Sequence, residues 1–270
     1  MNSPPPPGEG VTEQGLHADT ASLQRTPFPH PAFSRGEEGK PPLRIGGFIP
    51  FTTTDYPGCL AAVVFCQGCP WRCAYCHNPH LLPADGPESH AWSDISAFLA
   101  KRRGLLDAVV FSGGEPSLQG GLMGAMREVK EMGFKVGLHS AGMYPERLAR
   151  VLPLVDWIGL DVKAPRAAYA RITGVAGSGE AVFESLGRVL AAGVAHELRC
   201  TWHPDLLSDG DLEQLGRELE AMGARSLVLQ EYRVEGCARP LPGIRPAQLK
   251  SRGIEALAGR MGQFSLRLAQ

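Results

Sequence analysis

The stretch Ala61-Ala62-Val63-Val64-Phe65-Cys66-Gln67-Gly68-Cys69-Pro70-Trp71-Arg72-Cys73-Ala74-Tyr75-Cys76 joins a short apolar run to a loop with four cysteines in eleven positions. Ala61–Phe65 is too short for a helix and apolar throughout, the pattern of a strand covered on both faces. The cysteines lie too close together to staple distant parts of a fold, so metal ligation is the natural reading. Outward from this stretch the same theme repeats. Ala108–Phe111 leads into Ser112-Gly113-Gly114-Glu115-Pro116, Phe134–Leu138 into His139-Ser140, Trp157–Leu160 into Asp161-Val162-Lys163, Glu197–Thr201 into Trp202-His203, and Ser226–Gln230 ends on a polar residue.

Between these runs lie helical stripes: Ile95, Phe98 and Leu99; Leu122, Met126 and Val129; Val182, Leu186, Val189 and Leu190. Gly133, Gly193 and Gly223 follow three of the helices where a left-handed residue is wanted. A last helix is expected over about Pro246–Met261. The alternation predicts an α/β fold of six strand–helix units around a parallel sheet. In such an array the binding groups sit on loops at the carboxyl ends of the strands, where all the polar clusters above fall.

Composition narrows the function classes. The 270 residues allow one large domain, 43% are hydrophobic, and the formal net charge of −1 favours neither nucleic acid nor an anionic membrane. No apolar run is long enough to span a bilayer and no basic, apolar leader opens the chain, so a cytoplasmic protein is expected. Closely spaced free thiols fit a reducing compartment. Residues 1–42 hold nine of the 23 prolines and no apolar periodicity, which predicts a disordered tail before a domain over 43–270.

In Cys69-x3-Cys73-x2-Cys76, three thiolates on one short loop can hold three corners of a [4Fe–4S] cubane and leave the fourth iron open. A closed zinc site usually pairs two C-x-x-C knuckles across a long spacer. Cys66 is an alternative fourth ligand, but the resulting spacing differs from the ferredoxin run. Cys59, Cys200 and Cys237 read as free, buried or partly buried thiols.

This run, with an aromatic before its last cysteine, resembles the signature of radical S-adenosylmethionine enzymes, and Gly113-Gly114-Glu115-Pro116 resembles their glycine-rich second motif. More closely, Ile45-Gly-Gly-Phe48, Asp55-Tyr-Pro-Gly58, Ala61–Phe65, Gln67-Gly-Cys69 and Tyr75-Cys-His-Asn-Pro79 are similar to activating proteins of anaerobic ribonucleoside-triphosphate reductases. The resemblance implies an incomplete (β/α)6 TIM-like barrel that splits S-adenosylmethionine and places a glycyl radical on the reductase. It also implies a low-potential donor such as flavodoxin or ferredoxin. Cys69, Cys73 and Cys76 would then ligate the cluster, with Tyr75 near the adenine, Gly113 and Gly114 allowing close backbone approach, and Glu115 accepting from the methionine ammonium. Asp161 and Lys163 match an Asp-x-Lys motif that reaches ribose and carboxylate; Ser140 and His203 are further cofactor-side candidates. The stretch Leu138-His-Ser-Ala-Gly142 departs from the Asp-Thr-Asn-Gly of related activating enzymes.

Read alone, several of these residues have plainer roles. Asp55–Gly58 reads as a turn, Asp161 and Lys163 as a solvated strand end, and Arg199 as half of an ion pair in the barrel mouth; His77 and Asn78 shape the loop after the cysteines. Rival functions are a radical enzyme acting on another glycyl-radical enzyme or on a small molecule such as a deazapurine precursor, and a non-enzymatic iron–sulfur carrier. Alanine at Cys69, Cys73 or Cys76 is expected to abolish release of 5′-deoxyadenosine from S-adenosylmethionine, whereas Cys66→Ala keeps most of it. Loss of release in Cys66→Ala would overturn the three-ligand assignment.

Overall fold

A computed structural model of the chain describes residues 43–269; the segment expected to be a disordered tail, residues 1–42, lies outside them. Eight strands form one sheet in chain order: β1 Ile45–Thr52, β2 Ala61–Cys66, β3 Ala108–Gly113, β4 Lys135–Ser140, β5 Trp157–Asp161, β6 Ala195–Trp202, β7 Ser226–Glu231 and β8 Gln263–Arg267. β1 is antiparallel to β2, and all later neighbours are parallel. The connections carry α1 Trp92–Ala100, α2 Leu122–Glu131, α3 Pro145–Val151, α4 Tyr169–Thr173, α5 Ser178–Ala192, α6 Asp209–Ala221 and α7 Arg252–Arg260. Among the described residues no ladder joins β1 to β8, so the six βα units from β2 to α7 make an incomplete barrel open on one side.

All six expected strands are present, shifted by at most a few residues, and Gly133, Gly193 and Gly223 have φ of 91°, 65° and 78°. The two edge strands were not expected. β1 reads Ile-Gly-Gly-Phe-Ile-Pro-Phe-Thr, where two glycines and a proline mask the strand pattern, and only an edge tolerates a proline that cannot donate to a ladder. β8 is short, with alternating half-buried residues. The expected helix over Pro246–Met261 is also corrected. A single 3₁₀ turn, Gln248–Lys250, precedes an extended Ser251, whose Oγ accepts from Ile254 N at 3.3 Å and starts α7 one residue later.

The strands β2, β3, β4 and β5 bury both faces. Outward-facing Val64, Phe111, Leu138, Leu160 and Leu198 pack with helix residues such as Leu99, Met126, Leu186 and Leu215 in one large core. A smaller cluster of Tyr56, Cys59, Ala61, Val63, Ala108, Val110 and Trp157 gathers the inward-facing residues near the strand starts. Tyr56 comes from the β1–β2 connection, its ring 5.2 Å from that of Trp157, and a Cβ on Gly137 would stand 3.0 Å from it. The turn read at Asp55–Gly58 is thus a plug closing the end of the barrel opposite the cysteines. Tyr56→Ala empties this plug and is expected to cost about 3–5 kcal/mol, the range for a buried aromatic truncated to alanine, measured by urea denaturation.

Candidate functional site

At the carboxyl ends of the strands, a cavity of about 250 Å³ opens between the loops after β2, β3, β4, β5 and β6. Cys69, Cys73, Cys76 and Tyr75 line one wall, with Ser112, Gly113 and Gly114 beside them and Ser140, Asp161, Lys163, Arg199 and Gln230 across. Cys66 is fully buried at the end of β2 and is not among the lining residues. Cys59 and Cys200 are buried free thiols, and Cys237 is a half-buried one.

The cysteine loop is held from its root. Gly68, at φ 97°, donates to Leu81 O at 2.7 Å, and Cys69 N donates to Leu82 O at 3.0 Å. Further on, Arg72 N and Ala74 N donate to Thr173 O and Ile172 O at 3.1 and 3.0 Å, tying the loop to α4. The buried Gln67 side chain donates to Pro83 O at 2.7 Å and His80 O at 3.2 Å. It threads between Gly46 and Gly86, where an added Cβ would fall 2.2 and 2.3 Å from its amide.

Gly113 and Gly114 serve this packing rather than ligand approach alone. Gly113 has φ 114°, and a Cβ there would stand 2.4 Å from Cys66 N; on Gly114 it would stand 2.3 Å from Gly68 O. Gly114 N and Glu115 N donate to Cys66 O and Gly68 O, each at 2.9 Å. The two loops are therefore joined backbone to backbone, and only glycine permits it.

Glu115 was expected to face a ligand ammonium, but it is fully buried and is not among the cavity-lining residues. Its Oε1 accepts from Ser117 N at 3.0 Å, Ser117 Oγ at 2.5 Å and Ser140 Oγ at 2.8 Å, and its Oε2 from Ala141 N at 2.9 Å. Burial raises its pKa, and these four donors pull it back only in part. Ser140 lines the cavity, but its hydroxyl is committed to Glu115 and to Gly142 N at 3.0 Å. His203 does not reach the cavity: its Nε2 meets Pro242 O at 2.8 Å and its Nδ1 accepts from Asp205 N at 3.1 Å. With Nδ1 accepting, Nε2 is the nitrogen that donates to Pro242 O, and both ring nitrogens are spent on Pro242 and the turn after β6.

Asp161 and Lys163 do converge, Nζ to Oδ2 at 2.8 Å, with Nζ 5.5 Å over the Tyr75 ring. Burial opposes both charges. The Lys163 ammonium nevertheless holds Asp161 below its ordinary pKa, and Asp161 holds Lys163 well above its own. Arg199 lies deeper, donating from Nε to Glu197 Oε1 at 2.7 Å with its guanidinium 5.1 Å from the Trp157 ring. His139 packs beside it, and burial and Arg199 push its pKa down to about 4.

Three observations bear on whether these residues suit an iron–sulfur cluster and a nucleoside-bearing ligand. The three thiols share one wall, and burial pushes Cys69 up to about 12 and raises Cys73 and Cys76, so they need a cationic centre to become thiolates. No His, Cys, Asp or Glu group among the described residues is gathered closely enough to hold one metal ion; a cubane asks for less convergence, one thiolate per iron. Finally, the buried Tyr75 hydroxyl has no hydrogen-bond partner, which is costly unless something entering the cavity meets it. The donor set fits the group.

The Glu115 network gives a stability test. In Glu115→Gln one acceptor oxygen becomes an N–H donor facing Ala141 N–H or the serine hydroxyls. A loss of about 1–3 kcal/mol is expected in urea denaturation. A loss under about 0.5 kcal/mol, the size of an ordinary surface substitution, would mean that the carboxylate does not hold this loop.

Known proteins share this architecture. The radical SAM superfamily profile matches residues 63–219, more than half of the chain. A Methanocaldococcus jannaschii protein, provisionally named a glycyl-radical enzyme activating enzyme, is 28% identical over 186 residues, covering 65% of this chain and 75% of that protein. The pyruvate formate-lyase-activating enzyme of Clostridium pasteurianum is 33% identical over 137 residues, 48% of this chain and 57% of the enzyme. In fold, Streptococcus suis SuiB bound to S-adenosylmethionine is similar with a TM-score of 0.59 at 13% identity, covering 76% of this chain and 48% of SuiB. The chain thus spans little more than half of the Clostridium enzyme and less than half of SuiB. With the profile matched over residues 63–219, from β2 into α6, the chain belongs to the radical S-adenosylmethionine superfamily and uses a [4Fe–4S] cluster and S-adenosylmethionine.

Proposed function

We propose that this protein is an activating enzyme that installs a glycyl radical on an anaerobic ribonucleoside-triphosphate reductase. The observation that carries the reading is a cavity in which three cysteines, an unpartnered tyrosine hydroxyl and a buried lysine paired with a partly exposed aspartate meet. Relatives named as glycyl-radical activating enzymes support the reaction class. The reductase as target rests on Ile45–Phe48, Asp55–Gly58 and Tyr75–Pro79.

In this reading Cys69, Cys73 and Cys76 would hold three irons of the cluster. When bound and reduced by an external donor, the cluster would supply the one electron that splits S-adenosylmethionine into methionine and a 5′-deoxyadenosyl radical, the species that would take hydrogen from a glycine Cα. The chain's own residues position and shield. Tyr75 offers a ring face and a free hydroxyl to the adenine, and Lys163 offers a buried cation to a carboxylate. Asp161, with Oδ2 bonded to the Lys163 ammonium, keeps acceptor positions for ribose hydroxyls. The Tyr56 plug closes the far end of the barrel to water, while the edges of β1 and β8, unpaired among the described residues, leave a side open for a protein segment.

The test is an oxygen-free incubation of the reconstituted, reduced protein with S-adenosylmethionine and the reductase of the same genome. Electron paramagnetic resonance is expected to show a glycine-centred doublet that needs both this protein and the cofactor. A doublet only when pyruvate formate-lyase replaces the reductase would move the target. Release of 5′-deoxyadenosine with neither partner activated would point to a small-molecule substrate, and an intact cluster giving no release to the carrier reading.

A further inference from the structure

A second cavity, of about 290 Å³, lies against the cysteine loop and is lined by Arg72, Cys73, Cys76 and Arg239, among others. Cys73 and Cys76 line both cavities, so this part of the loop is a wall between them, and a cluster held there is accessible from two sides. The first cavity is the cofactor side; the second has no role in the reading above.

The second cavity is framed by a built element. Residues 232–242 form a strap after β7, latched to the cysteine loop and to the end of β6. His77 Nε2 meets Arg233 O at 2.9 Å, and the His77 ring stacks 6.1 Å from that of Tyr232. A Cβ on Gly236 would stand 2.9 Å from His77 O, so the strap lies directly on the loop. Tyr232 Oη accepts from Leu241 N at 2.9 Å, and His203 Nε2 meets Pro242 O at 2.8 Å, fixing the returning arm. These contacts also account for His203, which the cofactor cavity does not use.

The strap carries exposed Arg233 and Arg239, and Arg72 is exposed on the loop opposite; Glu235 is the one acid between them. Arg72 Nη1 is anchored to Cys69 O at 2.8 Å, yet neither Arg72 nor Arg239 has an acidic partner among the described residues. Three arginines against one glutamate leave a net positive charge around the approach to two cluster thiols, on a chain whose net charge is only −1.

We propose that this surface, resting on the radical-enzyme reading above, is the docking site of an acidic electron-transfer protein. One electron leaves the donor and is taken up at the cluster through the wall formed by Cys73 and Cys76; no bond forms or breaks. Small interfaces steered by charge suit such brief encounters.

The experiment follows reduction of the cluster in the full-length holoprotein by a photoreduced acidic flavodoxin, with binding of the oxidised flavodoxin measured by calorimetry. The parent's reduction rate is expected to fall steeply with ionic strength. Arg239→Glu, remote from the thiols, should lower the low-salt rate by about tenfold or more and flatten the salt dependence, with weaker binding. Its iron content and its reduction by methyl viologen radical cation should stay unchanged. Arg72→Gln added to it should slow the flavodoxin reaction further. A flavodoxin rate within about twofold of the parent's, or equal slowing with methyl viologen, overturns the proposal. A parent that cleaves S-adenosylmethionine with methyl viologen but shows no salt dependence with flavodoxin also overturns it, while the activating reading stands. Failure to cleave S-adenosylmethionine under either reductant would instead remove the reading on which it rests.

Discussion

The cysteine loop depends on Gln67. Its backbone N–H donates to Arg44 O at 2.9 Å, its carbonyl accepts from Gln119 Nε2, and its amide reaches His80 O and Pro83 O. Arg44 N closes the ring by donating to Gln119 Oε1 at 3.2 Å. One buried residue, through its backbone and its side chain, thereby links the entry to β1, the root of the cysteine loop, the segment after it and the turn following Glu115. An unpaired amide at that depth would cost about 1–3 kcal/mol, so the register of all four segments is coupled to this residue. Gly46 and Gly86 leave its path open, so Gly46 and the Gln67-Gly68 pair belong to one device.

Charge in the barrel mouth follows a second constraint. Lys163, Arg199 and Glu197 are largely withdrawn from water, beside an Asp161 side chain that is 40% exposed, and isolated ions there would be expensive. They are paired within their own strand segments, Lys163 with Asp161 and Arg199 with Glu197, each two residues apart and on one face. Glu197 is shared further with Arg267 of β8 at 3.2 Å, so an edge strand is tied into the interior. Gly159 makes room for this: a Cβ there would stand 2.6 Å from the Arg199 guanidinium. The ion pairs stabilise little by themselves, but losing one partner would leave an unpaired charge beneath the cavity.

The cavity is thus a rigid frame around groups left incomplete. Glu115, Ser140 and His203 spend their hydrogen-bonding capacity on loop and strap, whereas Tyr75 Oη does not, and the three thiols carry no disulfide. That division separates residues that shape the site from those that face a ligand. The strap completes the frame on the other side, where His77, next to a cysteine, acts as a latch rather than a ligand.

The parallel sheet, six βα units and the rim on which the polar clusters fall were legible in the sequence, because short apolar runs and glycine-stopped helical stripes are local patterns set by the period of each element. Cysteine spacing likewise pointed to one loop and one cluster type. What only the tertiary structure decided depends on contacts between distant segments: that β1 and β8 complete the sheet, that Tyr56 plugs the barrel from a loop read as a turn, and that Gly113 and Gly114 pack on Cys66 and Gly68. Glu115 and His203 carry the right chemistry in the right loops, and no pattern along the chain shows which neighbours satisfy them. Hydrogen-bond saturation and burial are properties of packing, and packing is where a titratable residue becomes either framework or site.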